Sequence, residues 1–264
     1  MEERTLVSFD WALKSILRQK DNFDILEGFL SDLLNDKITV LALLESESNK
    51  GYDIDKSNRV DLRAEDSNGR EIIIEVQYDA ESDYLERVYY GTSKSLIENM
   101  REGYRYKNIK KIISVSIVYW KMLEKSYLIR GFMSFEDLTN NRAEIKVERA
   151  KDIYAEYYFI QPEWFNDNIK TKIDEWVYMF KHSSVKGELP ATNIDSAEDK
   201  LNKLKMSKDE RKDYDAYCMN KAVYEDVMET RENKGVQKMI DAMKKSGMSD
   251  EDIENIVKLS KSEE

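Results

Sequence analysis

Apolar residues along the chain recur first at helical spacing, then in alternation, then as an unbroken β-branched run. Residues 9–19 and 23–35 read as helices, the second because Ile25, Leu26, Phe29, Leu30, Leu33 and Leu34 return every three or four positions. Residues 39–44 are a short apolar run of strand length, and 45–58 are polar and loop-like. Residues 59–65 and 70–78 alternate and are joined by Asp66-Ser67-Asn68-Gly69, a hairpin signal. Residues 82–101 return to helical spacing through Leu85, Val88, Tyr89, Leu96 and Met100. The run at 111–119, with Ile112, Ile113, Val115, Ile117 and Val118, suits a strand buried on both faces in the middle of a helix-covered sheet.

Further strands are expected at 127–135, 144–148 and 153–160, the last with a helical alternative. Pro162 is expected to start a helix through Trp164, Ile169, Ile173, Trp176 and Phe180 to about residue 181, with both tryptophans in the core. Residues 183–200 hold Pro190 and read as a polar linker. The pattern therefore predicts an α/β domain over 1–182, the linker, and a helical C-terminal region over 201–264.

The hairpin carries the most specific geometry. A three-residue loop closed by Gly69 in the left-handed region pairs Asp66 with Arg70, and so sets Asp61 directly opposite Glu75. One face then holds Val60, Leu62, Ala64, Ile72, Ile74 and Val76, all apolar, and a one-residue slip would scramble it. The other holds Arg59, Asp61, Arg63, Glu65, Glu71, Ile73, Glu75 and Gln77. Two carboxylates roughly 5 Å apart repel by about 3 kcal/mol at an effective dielectric of 20. Either a divalent cation lies between Asp61 and Glu75, or solvent, Arg59 and Arg63 screen them. Glu65 and Glu71, toward the hairpin tip, suit a solvated face.

Composition narrows the chemistry. There are 42 basic and 53 acidic residues, a net charge of −11, with 36% charged and 41% hydrophobic, as in globular proteins. No apolar stretch is long enough to span a bilayer, and the N-terminus lacks the apolar core of a secretory signal, so a cytoplasmic location is expected. One cysteine, Cys218, and one histidine, His182, exclude an internal disulfide and the usual Cys/His zinc sites. Carboxylates, amides, hydroxyls, Lys and Arg remain, a set that suits a hard metal ion bound through oxygen. The acidity is uneven: residues 1–100 hold 22 acidic and 12 basic residues, whereas 101–130 hold eight basic and two acidic. Arg101, Arg105, Lys107, Lys110 and Lys111 are candidates for guiding DNA, against the plainer alternative of a solvated face.

Asp61, thirteen intervening residues and the strand Ile-Ile-Ile-Glu75-Val76-Gln77 resemble the PD-(D/E)XK nuclease signature. More narrowly, the chain resembles the recombination-promoting nuclease and putative transposase family. Phe9-Asp10-Trp11-Ala12-Leu13-Lys14 is similar to its opening Asp-x-x-Phe-Lys segment, with Leu13 where phenylalanine is usual. Phe29-Leu30, Leu33-Leu34, Arg87-Val88-Tyr89-Tyr90, Gly103-Tyr104-Arg105-Tyr106 with the following strand, and the Gly247-Met248-Ser249 tail extend the likeness over nearly the whole chain.

The resemblance implies a restriction-endonuclease-like core, a mixed sheet flanked by helices, with a C-terminal helical extension. It also implies divalent-metal-dependent endonuclease cleavage of DNA, associated with recombination or transposition of mobile elements. Asp61, Glu75 and the Val76 backbone carbonyl would bind Mg²⁺, with Mn²⁺ or Ca²⁺ as alternatives. Gln77, in place of the wider superfamily's lysine, would orient the attacking water. Arg87 is expected to contact a phosphate or support Glu75, Tyr90 to lie in the core unless it supports the site, and Asp10 to cap the first helix or serve as a supporting acid. The acidic C-terminal helices point to a homodimer or other interaction element rather than to groove contact. The alternative function is a catalytically inactive nuclease-fold protein that binds DNA or protein.

Overall fold

The β-branched run becomes a central strand. The structure, a computed structural model, describes residues 6–44, 61–100, 105–123, 125–136, 138–139, 150–187 and 189–262. Among them are helices α1 (Phe9–Ser15) and α2 (Phe23–Leu34), strands β1 (Val40–Leu44), β2 (Leu62–Asp66) and β3 (Glu71–Gln77), and helix α3 (Tyr84–Asn99). Then follow β4 (Ile112–Val118), β5 (Leu128–Gly131), the short α4 (Ala150–Ile153), β6 (Glu156–Ile160), α5 (Lys172–His182) and α6 (Ile194–Lys200). Two last helices, α7 (Lys208–Lys245) and α8 (Asp250–Ser262), belong to a second compact unit that begins at Ser207.

The six strands form one mixed sheet in the order β1-β2-β3-β4-β6-β5, with β3, β4 and β6 parallel and the outer pairings antiparallel. Every residue of β4 is buried, as a strand covered on both faces requires. One face carries Leu62, Ala64, Ile72, Ile74 and Val76, continued by Ile113, Val115 and Ile117. At its end Tyr78 donates to Asp10 of α1 and Tyr119 to the Phe180 carbonyl of α5. Phe29 of α2 packs edge-on against Phe9 and Phe180, so α1, α2 and α5 close one aromatic core over this face. Helix α3 covers the other face, where Tyr84 and Val88 pack on Val118 and Phe159.

Three sequence expectations change here. Residues 183–200 are not a linker. Ala191, Ile194 and Ala197 are buried, and Asp32 of α2 accepts from the Thr192 amide at 2.7 Å and from the Trp176 indole at 3.0 Å. Polarity misled because these polar residues bond to α2 rather than to water. The helix expected from Pro162 is two pieces: Pro162–Trp164 is one 3-10 turn, and α5 begins after Thr171, whose capping box with Asp174 outweighs the proline as a start. Trp164, on that turn, is half-buried, whereas Trp176 is fully buried as expected. Residues 156–160 take the strand alternative, paired with β4. The expected strand 144–148, the loop 45–58 and Val60 lie outside the described residues.

In the second unit, Ser207 and Glu210 form a capping box that starts α7, and Gly247, at φ +88°, makes the turn into α8. No helix among the described residues is long and apolar enough to cross a membrane.

The docking of 183–200 makes a sharp prediction at Gly28. In an open helix Gly→Ala stabilises by about 1 kcal/mol. Here the added methyl would meet the Thr192 carbonyl oxygen at 2.1 Å and Asn193 Cβ at 2.9 Å. Gly28→Ala is therefore expected to lower stability by roughly 1–3 kcal/mol in urea denaturation. A stabilised variant would mean that the Thr192 segment is not seated on α2.

Candidate active site

The hairpin that builds the site is set by its turn. Asp66 Oδ1 accepts from the Asn68 and Arg70 amides, both at 2.9 Å, and Gly69 takes φ +74°, a conformation other residues rarely adopt. The strands then pair Leu62 with Ile74, Arg63 with Ile73, Ala64 with Ile72 and Glu65 with Glu71. Extended by one step, this register sets Asp61 beside Glu75. The Asp61 carboxylate accepts from the Val76 amide at 2.8 Å, and its own carbonyl is held by Arg18 at 2.7 Å. In a strand, the N–H and C=O of one residue leave by the same edge. The Val76 carbonyl therefore points to the Asp61 side.

Glu75 is 8% exposed. Burial pushes its carboxyl up to about 7; the Arg87 guanidinium opposes the shift, and the charges of Asp61 and Glu81 add to it. Arg87 Nη1 sits 2.6 Å from Glu75 Oε1, its Nε lies 2.9 Å from Glu81, and its plane covers the Tyr84 ring at 4.9 Å. Arg87 Nη2 is a buried donor with no hydrogen-bond acceptor among the described residues. Gln77 donates to Glu81 at 2.8 Å. Beneath them Ser116, 1% exposed, pairs with Glu75 across the parallel ladder, and the buried Tyr84 hydroxyl is pushed up by desolvation and by the Glu75 charge.

The structure thus brings Asp61, Glu75, Val76, Gln77 and Arg87 together and leaves other candidates elsewhere. Tyr90 is 49% exposed, not in the core, because it falls on the outer side of α3. Asp10 does not cap α1, where Ser8 is the N-cap residue; it is buried and accepts from Tyr78. Arg63 does not screen the acid pair. It lies toward the tip and binds Glu71 at 2.8 Å, Glu98 at 3.0 Å and Ser95 at 2.8 Å. Glu71, expected to be solvated, is fully buried and also accepts from Ser95 and from Asn99, because α3 roofs the face that alternation alone left open.

Arg105 and Lys107 are exposed; Lys110 pairs with Glu65 and Lys111 with Glu156, at the end of the strands away from Glu75. Arg59 and Arg101 lie outside the described residues. Sequence reasoning missed Glu81 and Tyr84. It also passed over the alternate serines Ser114 and Ser116, a polar pair inside a β-branched run that marks the Glu75 face.

The donor set fits a hard cation, though sparsely. Asp61 and Glu75 supply carboxylate oxygens and Val76 a carbonyl, and no group of three or more ligating side chains converges among the described residues. Two carboxylates with the remaining positions left to water and phosphate is a mode that suits Mg²⁺. A family model described as PD-(D/E)XK nuclease family transposase matches residues 7–233. No curated protein and no solved structure matches the chain.

Glu75 makes a pH prediction for the metal-free protein. Its folded carboxyl titrates near 7, above its ordinary 4.5, so folding favours the protonated form. Its contribution to stability is full below about 4.5 and is lost as pH rises through about 7. In EDTA, Glu75→Gln should therefore gain on wild type as pH rises across that window, by on the order of 3 kcal/mol. Parallel stability curves would place Glu75 in water, away from Asp61.

Proposed function

Because the chain belongs to the PD-(D/E)XK nuclease family transposases, we propose that Asp61 and Glu75 are the carboxylate pair of a divalent-metal-dependent DNA endonuclease. It hydrolyses phosphodiester bonds in the course of recombination or transposition of mobile elements. The observation that supports this most is one buried carboxylate beside a second whose position the backbone fixes. A bound Mg²⁺ or Mn²⁺ would lower the pKa of a water and offset charge on the phosphate.

The chain's own residues set the stage for that. Val76 N–H aims the Asp61 carboxylate, and the Val76 carbonyl adds an oxygen on the same side. In the metal-free protein Arg87 holds Glu75 in place, and its buried donor Nη2 is left for a non-bridging phosphate oxygen. Gln77 is neutral and adjacent; it positions Glu81 and has the chemistry to orient a water, though not to serve as a base.

A binding module without catalysis is the second reading. It is favoured by the Arg87–Glu75 contact, in which an internal cation already occupies the place a metal would take. Nicking of supercoiled plasmid separates the two. Wild type is expected to nick with Mg²⁺ or Mn²⁺ and not in EDTA, and Asp61→Ala and Glu75→Gln to lose about 100-fold or more in rate. If Asp61→Ala nicks as fast as wild type, the site is misassigned. If wild type never cuts and divalent ions leave its melting temperature unchanged, the binding module holds.

A further inference from the structure

At the opposite end of the parallel strands lies an open groove of about 820 Å³, unrelated to the carboxylate pair. It forms where β3, β4 and β6 begin. From Arg70 to Glu75 is five residues of strand, about 17 Å at 3.3 Å per residue. That exceeds the screening length of about 8 Å at physiological salt, so the groove and the carboxylate pair do not share one field.

Its lining is strongly basic for an acidic protein. Arg70, Lys107, Lys110, Lys111, Arg130 and Lys151 face it, against three carboxylates, Asp36, Asp152 and Glu156. The acids are already engaged or outnumbered. Glu156 takes Lys111 at 2.7 Å, Arg130 at 2.9 Å and the Tyr158 hydroxyl at 3.0 Å, and Asp36 takes Arg70 at 3.0 Å. Lys107 and Lys151 are exposed, and neither side chain has an ion pair among the described residues.

The cations come from four elements: the hairpin turn, the segment before β4, the end of β5, and α4. They therefore lie along the sheet edge rather than around one point. Three strand spacings separate β3 from β5, about 14 Å, which equals the axial rise of roughly four nucleotides of a helical strand at 3.4 Å each. Asn68 and Asn108 add side-chain donors of the kind that bind phosphate oxygens.

We propose that this sheet-edge groove binds the phosphate backbone of a nucleic-acid strand, at a place separate from the Asp61–Glu75 pair. The groove goes beyond the nuclease reading and does not depend on it. It binds with or without a divalent ion and gives the protein a second hold on DNA, on a surface that no catalytic residue shares. Its contacts are to backbone, so affinity is steeply salt-dependent and little affected by sequence.

Fluorescence anisotropy with a labelled 20-nucleotide strand in EDTA tests it on the full chain. The double variant Lys107→Glu, Lys151→Glu changes two exposed side chains and should melt like wild type. It is expected to bind about tenfold or more weakly at low salt, with the slope of log affinity against log salt reduced by about 1.5. The charge-matched Lys238→Glu, Lys245→Glu pair on α7 should lose much less. Equal binding by wild type and the groove variant would overturn the proposal, as would an equal loss in the α7 control. If inorganic phosphate or a mononucleotide binds as tightly as the 20-nucleotide strand, the groove is a point site for a small phosphate and the strand assignment fails.

Discussion

The Ser67-Asn68-Gly69 turn limits what the rest of the sheet is able to do. Asp66 fixes its geometry through two amides, and Gly69 supplies a backbone conformation costly for any side chain with a Cβ. With the turn set, β2 and β3 have one register. A slip of one residue would carry Ile72, Ile74 and Val76 out of the aromatic core and drive Glu71 and Glu75 into it. The same register that buries the apolar face brings Asp61 to the Val76 amide. Fold and site are therefore one constraint.

Two glutamates of β3 show how the roof over the other face sorts structure from chemistry. Glu71 and Glu75 lie four residues apart on one strand face, both buried beneath α3. Glu71 is saturated by Arg63, Ser95 and Asn99. Removing any of these partners would leave a buried charge short of donors, which is costly. Glu75 meets Arg87 on one side and the negative charges of Asp61 and Glu81 on the other. One carboxylate is bound into the structure, and the other is held near neutrality with a pKa that a cation would pull down. Such asymmetry between like groups is what marks a reactive position.

Much of this was legible in the residues. The hairpin register followed from alternation and turn chemistry, and the central strand from its β-branched run. The pairing of Asp61 with Glu75 came from register alone. What sequence could not supply was the third dimension of α3. Period-2 alternation tells which residues share a face, not what lies over it, so Glu71 was expected in water and Arg63 near the acid pair. Helical spacing likewise placed Leu85 and Tyr89 beside Val88 on the inner side, although α3 buries Tyr84, Val88, Thr92 and Ser95 and turns Leu85 and Tyr89 outward. At 183–200 the cause was different: polar residues that bond to Asp24 and Asp32 of α2 look the same in one dimension as residues that bond to water.

The proposed chemistry requires that Asp61 and Glu75 converge on a single divalent ion. Crystals soaked in Mn²⁺ and measured at its absorption edge address it directly. An anomalous peak is expected within coordination distance of both carboxylates and of the Val76 carbonyl, with the Arg87 guanidinium displaced from Glu75. Full occupancy of the Arg87–Glu75 contact with no peak between the two acids, at manganese concentrations well above those that saturate hard-cation sites, would contradict it.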